Sequence, residues 1–252
     1  QSILAAQGDL HLETILKRLK ERFHAEVDTA TPRIPYRETI RGRAEGSYRH
    51  KKQSGGRGQF GEVSLRIEPR ERGAGFEFRN EVVGGSIPTN FIPAVEKGLH
   101  ETLDEGPICS SQVVDVAVIV HDGKHHAVDS DEVSFKIAAS HAFRDAFTKA
   151  NPALLEPICR VKITVPEEFL GEVMGDLTSR RGRISGTSAD GHFQVIEAEA
   201  PLSEMDRYAT RLRSMSQGKG LHTQELARYE EVPGDVQSRI AEKFASEKSH
   251  AA

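Results

Sequence analysis

Apolar side chains recur along this chain at two spacings, and the change from one to the other lays out its elements. Leu12, Ile15, Leu16, Leu19 and Phe23 return every three to four residues, with Lys17, Arg18, Lys20 and Glu21 on the other face, so residues 10–24 are expected to form an amphipathic helix. A strand is expected over 25–29, and Pro32 and Pro35 then mark a linker. That helix and strand cannot bury the apolar stripe alone, so this segment either packs on the next domain or has its other half upstream. Val63, Leu65 and Ile67 alternate with Ser64, Arg66 and Glu68, and Phe76 and Phe78 alternate with Glu77 and Arg79, which predicts two half-buried strands. A helix fits 92–105, with Val95, Leu99 and Leu103 inward and Gly106 as its stop. The run 113–120 reads as a central strand, interrupted by Asp115. A long helix is expected over 131–150 after the capping pair Asp129 and Ser130, burying Val133, Ile137, Phe143 and Phe147.

From residue 156 the pattern repeats in a recognisable order. Cys159, Val161, Ile163 and Val165 alternate with Arg160, Lys162 and Thr164 in a strand. A helix over 169–179 carries Val173, Met174 and Leu177, and two short strands flank the turn 189–191. A second helix starts at the cap Ser203, carries Met205, Tyr208, Leu212 and Met215, and stops at Gly218. A strand over 221–229 closes a βαββαβ order, which is the split-βαβ, ferredoxin-like arrangement. The tail from Pro233 reads as a short amphipathic helix followed by a frayed end.

Composition narrows the class. The 252 residues are 37% hydrophobic and 29% charged, as in an ordinary globular chain. No apolar run approaches the roughly 20 residues that span a bilayer, and no signal-peptide pattern opens the chain. Cys109 and Cys159, two cysteines in all, cannot build a disulfide framework and fit a reducing, cytoplasmic compartment as buried structural residues. These features exclude a membrane protein, a small disulfide-stapled secreted domain and a zinc ribbon.

The net charge of −4 hides a sharp local asymmetry. Residues 41–57 carry Arg41, Arg43, Arg49, Lys51, Lys52 and Arg57 against Glu45 alone, a local charge of +5 that leaves −9 for the rest. The run leads into Gln53-Ser54-Gly55-Gly56-Arg57-Gly58-Gln59-Phe60-Gly61, where glycines let backbone N–H groups reach a phosphate or base and the flanking cations supply the phosphate attraction. The bland alternative is a hairpin turn on a solvated charged loop. Three His and two Asp crowd 121–129, but their spacing matches no zinc pattern, and a hydrolytic or metal enzyme built on His121, His125, His126 and Asp129 is the weaker reading. The plainer one is a polar turn before a helix, itself a ready anion contact. Arg180, Arg181 and Arg183 crowd a helix C-terminus beyond what the dipole needs, which suits phosphate contact. No GxxxxGK[ST] phosphate loop occurs, so the chain is not read as an enzyme.

The stretch from Lys52 to Gly61 closely resembles the domain IV loop of bacterial elongation factor G, the ribosomal translocase family. The likeness continues through Gly84-Gly85-Ser86-Ile87-Pro88, Phe91 to Gly98, His126-Ala127-Val128-Asp129-Ser130, Leu154 to Ile158, Gly175-Asp176-Leu177, Ser179-Arg180-Arg181-Gly182 and Pro201 to Met205, with Gly8 to Leu12 upstream. The order and spacing agree from about residue 8 to 232. The resemblance implies an α+β layout: residues 1–37 as the second half of a ferredoxin-like domain III, 38–155 as an elongated, ribosomal-protein-like domain IV, 156–232 as a ferredoxin-like domain V, and 233–252 as a C-terminal helix and tail. The opening Gln then fits a chain cut inside domain III.

It further implies a tip of two loops, Gln53, Ser54, Gly55 and Gly56 in one and His126 in the other, touching transfer RNA and messenger RNA at the decoding centre. His126 matches the position modified to diphthamide in eukaryotic and archaeal relatives. Arg49, Lys51, Lys52, Arg57, Arg180, Arg181 and Arg183 would hold RNA phosphates. The implied partners are both ribosomal subunits, transfer RNA, messenger RNA and ribosomal RNA, met by a monomer that touches no membrane. No metal or cofactor is expected here; GTP and magnesium belong to an upstream domain. The family usually places an aromatic and an acid beside the tip His, where this chain has His125 and Ala127, and Ser-Gly-Met-Gly where it has Ala5-Ala6-Gln7-Gly8. Those changes admit a specialised paralogue acting in ribosome recycling or protection.

Overall fold

The computed structural model describes residues 2–4, 6, 8–53 and 58–250. Helix α1 (Asp9–Phe23) forms where its spacing predicts, with Leu12, Ile15, Leu16 and Leu19 half-buried and Phe23 exposed. The strand expected over 25–29 does not form. A strand exists through its ladder, and no described strand pairs with these residues; Val27 stays exposed.

By contact, residues 36–155 and 231–252 make one compact unit, and 1–35 and 156–230 make a second. The first unit runs β1 (Arg37–Ile40), β2 (Ala44–Lys52), β3 (Gln59–Pro69), β4 (Phe76–Asn80), α2 (Ile92–Asp104), β5 (Gln112–Val113), β6 (Val116–Lys124) and α3 (Glu132–Lys149). Its four-stranded sheet has the order β2-β3-β6-β4, antiparallel except for the parallel pair β4 and β6, which α2 connects. Interior strand β6 is buried on both faces from Val116 to Val120, so its sequence is a continuous apolar run, whereas β3 buries one face and alternates. Asp115 splits the strand expected over 113–120: it sits at φ 58° and its carboxylate accepts the N–H groups of Gly73 and Gly75 at 3.0 and 2.9 Å.

Helix α3 presses its small residues onto β2. A side chain at Gly46 would collide with the carbonyl of Ala142 and the backbone of Ala146, so this strand approaches the helix only as glycine. The buried stripe of α3 is Phe135, Ala138, Ala139, Ala142, Phe143, Ala146 and Phe147. The expected Val133 is 53% exposed and Ile137 only half-buried, because the 3.6-residue period through Phe135 leaves both beside the stripe. Burial of each Phe contributes about 1.5–3 kcal/mol.

Strand β7 (Pro152–Pro166) opens by pairing Pro152–Leu155 with β1 in the first unit. The second unit continues along β7 with α4 (Leu170–Ser179), β8 (Arg183–Asp190), β9 (Phe193–Pro201), α5 (Tyr208–Met215) and β10 (Leu221–Glu231). β7 and β8 each pair antiparallel with β9, and β10 pairs with β7, which gives the ferredoxin-like sheet. Val173, Leu177, Tyr208, Leu212 and Met215 cover the inner residues Val161, Ile163, Ile196 and Ala198. The helix expected from Ser203 is two pieces, a 3-10 turn over Leu202–Met205 and then α5, because Arg207 takes φ 50° between them. The last helix, α6 (Gly234–His250), is longer than the short one expected, and Val236, Ile240 and Phe244 pack on Cys109, Leu154 and Val232 of the first unit. Both cysteines are buried free thiols; burial pushes Cys109 up to about 12, so it is inert.

Candidate nucleic-acid interface

The basic run is delivered by a hairpin. β2 pairs antiparallel with β3 from Ala44 with Ile67 to Lys52 with Gln59. Ser54, Gly55, Gly56 and Arg57 lie outside the described residues. Gln53, Lys51 and Lys52 are exposed at the rim. The other cations of the run are engaged: Arg41 with Glu231 at 2.8 Å, Arg43 with Glu68 at 3.7 Å, and Arg49 with Glu62 at 2.6 Å.

A second loop, between β6 and α3, is stitched to this hairpin. The Phe60 N–H donates to the Asp129 carbonyl at 2.9 Å, the Ser130 hydroxyl donates to the Phe60 carbonyl at 2.9 Å, and the Gly58 N–H donates to the Asp129 carboxylate at 3.2 Å. A Cβ at Gly58 would come within 2.8 Å of that carboxylate, so a larger residue there would push the Asp129 side chain aside. Asp129 and Ser130 therefore do not cap α3 as expected. Their side chains bind the loops, and Asp131 caps instead, its carboxylate accepting the Ser134 N–H at 2.7 Å.

His126 is brought to the same place as the hairpin. Its backbone N–H donates to Ser130 Oγ at 2.8 Å, and its ring stands 6.2 Å from that of Phe60. Nδ1 accepts the N–H groups of Val128 and Asp129 at 3.3 and 3.2 Å. With Nδ1 accepting, a neutral ring carries its proton on Nε2, a donor on a side chain that is 55% exposed. Asp129 Oδ2 lies 3.3 Å from Nδ1 and would accept from it if the ring were protonated.

A third loop belongs to this end, and the sequence does not mark it as part of the tip. His125 Nδ1 meets the Ser86 carbonyl at 3.2 Å, which ties the segment after β4 to the tip. The signal in Gly84-Gly85-Ser86 marks a turn, but nothing in it says which loop it neighbours. Among the described residues no three His, Cys, Asp or Glu converge as a metal site. His121 lies on β6, and His125, His126 and Asp129 lie on the loop after it, where only His126 and Asp129 meet. No described helix is long and apolar enough to cross a membrane.

The arginines of the second unit meet a different setting. Arg180 donates to the Asp176 carboxylate at 2.7 Å and to the Glu204 carbonyl at 2.5 Å, and its guanidinium lies 5.2 Å from the centre of the Tyr208 ring. Arg181, at φ 59°, makes a bidentate pair with buried Glu156 at 2.7 and 2.9 Å and reaches Glu204 at 3.1 Å. The Glu156 hydrogen bond leads the effects that raise the Arg181 pKa further. Arg183 is 76% exposed, with Glu230 at 3.6 Å. Only Arg183 of the three presents its charge outward; the other two hold the corner together.

Comparison with known proteins adds the frame. Residues 32–151 match the family described as elongation factor G, domain IV, and residues 153–240 match the elongation factor G C-terminus. A crystal structure of a protein from Thermus thermophilus superposes with a TM-score of 0.80 at 41% identity, covering 95% of this chain. The match spans 36% of that longer chain.

Proposed function

The chain belongs to the elongation factor G family and carries its domain IV and C-terminal domain, and from that premise we propose that it is the ribosome-engaging part of a translational GTPase that moves transfer RNA and messenger RNA. The observation that supports this best is the cross-linked tip. Two loops far apart in sequence are held by Gly58–Asp129, Phe60–Asp129 and Ser130–Phe60, and they present His126, Gln53, Lys51 and Lys52 at one end.

A translocating tip must hold a codon–anticodon helix without reading its sequence. A neutral imidazole donor and an amide suit the shallow minor groove and its 2′-hydroxyls, which look alike for every base pair. Lys51 and Lys52 add a phosphate attraction that is equally indifferent to sequence. Ser54, Gly55, Gly56 and Arg57 complete the loop in this proposal. Hydrolysis of GTP, with its magnesium, is assigned to a domain that this chain does not contain, and the work is placed in the cytoplasm.

Full-length protein carrying His126→Ala, in a single-round ribosome translocation assay, tests the reading. Loss of a hydrogen bond made during the movement slows translocation roughly tenfold, at about 1.4 kcal/mol per decade. A wild-type rate overturns it. A specialised paralogue for recycling or protection is the second reading, favoured by His125, which docks on Ser86 where the family has an aromatic. Full-length protein that fails to sustain repeated elongation while still binding ribosomes decides for it.

A further inference from the structure

Away from the tip, α2 and α3 leave a groove of about 300 Å³ between them, lined by Glu101, Thr102, Lys136, Ser140, His141 and Arg144 among others. That is the lower end of the size range for small-ligand sites. Its chemistry is uneven. Lys136 is neutralised by Glu101 at 2.6 Å. Arg144 is half-buried, and its guanidinium has no hydrogen-bond or ion-pair partner among the described residues. The single proton of the Thr102 hydroxyl is shared between the Gly98 carbonyl at 2.7 Å and Ser140 Oγ at 2.8 Å. The Ser140 oxygen is left with acceptor capacity. His141 is exposed and stacks on Tyr48, with ring centres 4.4 Å apart and planes 23° apart.

We propose that this groove is a second RNA site, which takes one unpaired nucleotide of a single strand. Arg144 holds its phosphate, the His141 ring, backed by Tyr48, carries its base, and Ser140 accepts from its 2′-hydroxyl. The inference rests on the reading that this unit works against RNA, and extends it to a face that no tip contact explains. Two placements favour RNA over an acidic protein segment. A carboxylate would use Arg144 but has no use for the exposed His141 ring, backed on one face by Tyr48, whereas stacking on an aromatic holds any base by its π-face. Tyr48 also lies on β2, three residues before Lys51, or about 10 Å at strand rise. Arg144 lies along α3 from the tip residue Ser130 by about 20 Å at helix rise. One strand of RNA can therefore run along a single compact unit from the tip to the groove.

Fluorescence anisotropy on the 252-residue chain, with labelled single-stranded decamers of adenylate and uridylate and a matching RNA duplex, tests this across a salt series. Arg144→Ala weakens single-strand binding about tenfold and lowers the salt slope by about 0.7, the value for one phosphate on a single strand. His141→Ala weakens the adenylate decamer more than the uridylate one, about fivefold or more, and His141→Phe restores it. Duplex affinity stays unchanged in all three. Circular dichroism confirms that each variant is folded. Unchanged slope in Arg144→Ala, equal losses for duplex and single strand, or a glutamate decapeptide that displaces RNA at equal concentration each overturns the proposal. Full loss on Lys51→Ala with Lys52→Ala, and none on groove variants, overturns it while leaving the tip intact. The translocation rate of His126→Ala decides the parent reading separately.

Discussion

Arg180, Arg181 and Arg183 after α4 and Arg49, Lys51 and Lys52 at the end of β2 read alike as basic runs, yet their side chains meet opposite surroundings. At the hairpin rim Lys51 and Lys52 are exposed, and among the described residues Arg49 alone of the three is matched, by Glu62. At the corner of the second unit, Asp176, Glu156 and Glu204 take up Arg180 and Arg181. The corner is bound by ion pairs with little exposure, and the rim by hydrogen bonds between its two loops, with Lys51 and Lys52 turned outward. A run of cations therefore marks an RNA contact only after the acids that fold against it are counted. Glu156 lies on a strand 25 residues before Arg181.

The largest effect that would break this contrast is at the corner. The Glu156 side chain is 4% exposed, so Arg181→Ala strands a buried carboxylate. Such a loss costs about 3 kcal/mol, read as a lower urea midpoint of the chain at pH 7, whereas Arg183→Ala stays within about 0.5 kcal/mol because its partner is 3.6 Å away and the pair is wet. Equal effects would show that the corner is not a structural clamp. A smaller effect belongs to the rim. Asp129→Ala removes the acceptor of the Gly58 N–H and leaves the Phe60 N–H to residue 129 carbonyl bond and the Ser130 hydroxyl to Phe60 carbonyl bond, so stability falls by about 1 kcal/mol. Hydrogen exchange should quicken at Gly58 and hardly at all within α3. Exchange unchanged at Gly58 would mean that the two loops are not coupled by this carboxylate.

Most of the fold is legible in the sequence because period and burial coincide. The alternation of β3, the continuous run of β6 and the four-residue spacing of α2 are each the direct trace of one or two buried faces. The misses have local causes. Residues 25–29 carry strand-like side chains but no partner, and pairing is a property of two segments. Val133 reads as inward because it is apolar, but it stands two positions from Phe135 and so on another face than the buried stripe. Arg207 at positive φ breaks a helix whose apolar spacing runs on through it. For the candidate site, residue types are legible and engagement is not: nothing local to Arg49 or Arg181 announces Glu62 or Glu156.

The corner offers one more distinction, read against pH. Tyr208 is buried beneath Arg180, and its ring meets His222 edge-on with centres 5.3 Å apart. Burial, helped by nearby Arg213, holds the His222 pKa below its usual 6.5. Above that value the ring is neutral in both the folded and unfolded chain and adds no pH dependence. As pH falls below it, the unfolded chain takes up the proton first, so the unfolded state binds more protons and stability declines until the folded His222 also charges. The urea midpoint of the wild-type chain should therefore fall between pH 7.5 and pH 5.5. His222→Phe keeps an aromatic edge against Tyr208 and removes the titration, so it should show a shallower fall over the same interval. Equal slopes in both proteins would place the acid sensitivity elsewhere and leave the arginine corner indifferent to pH in this range.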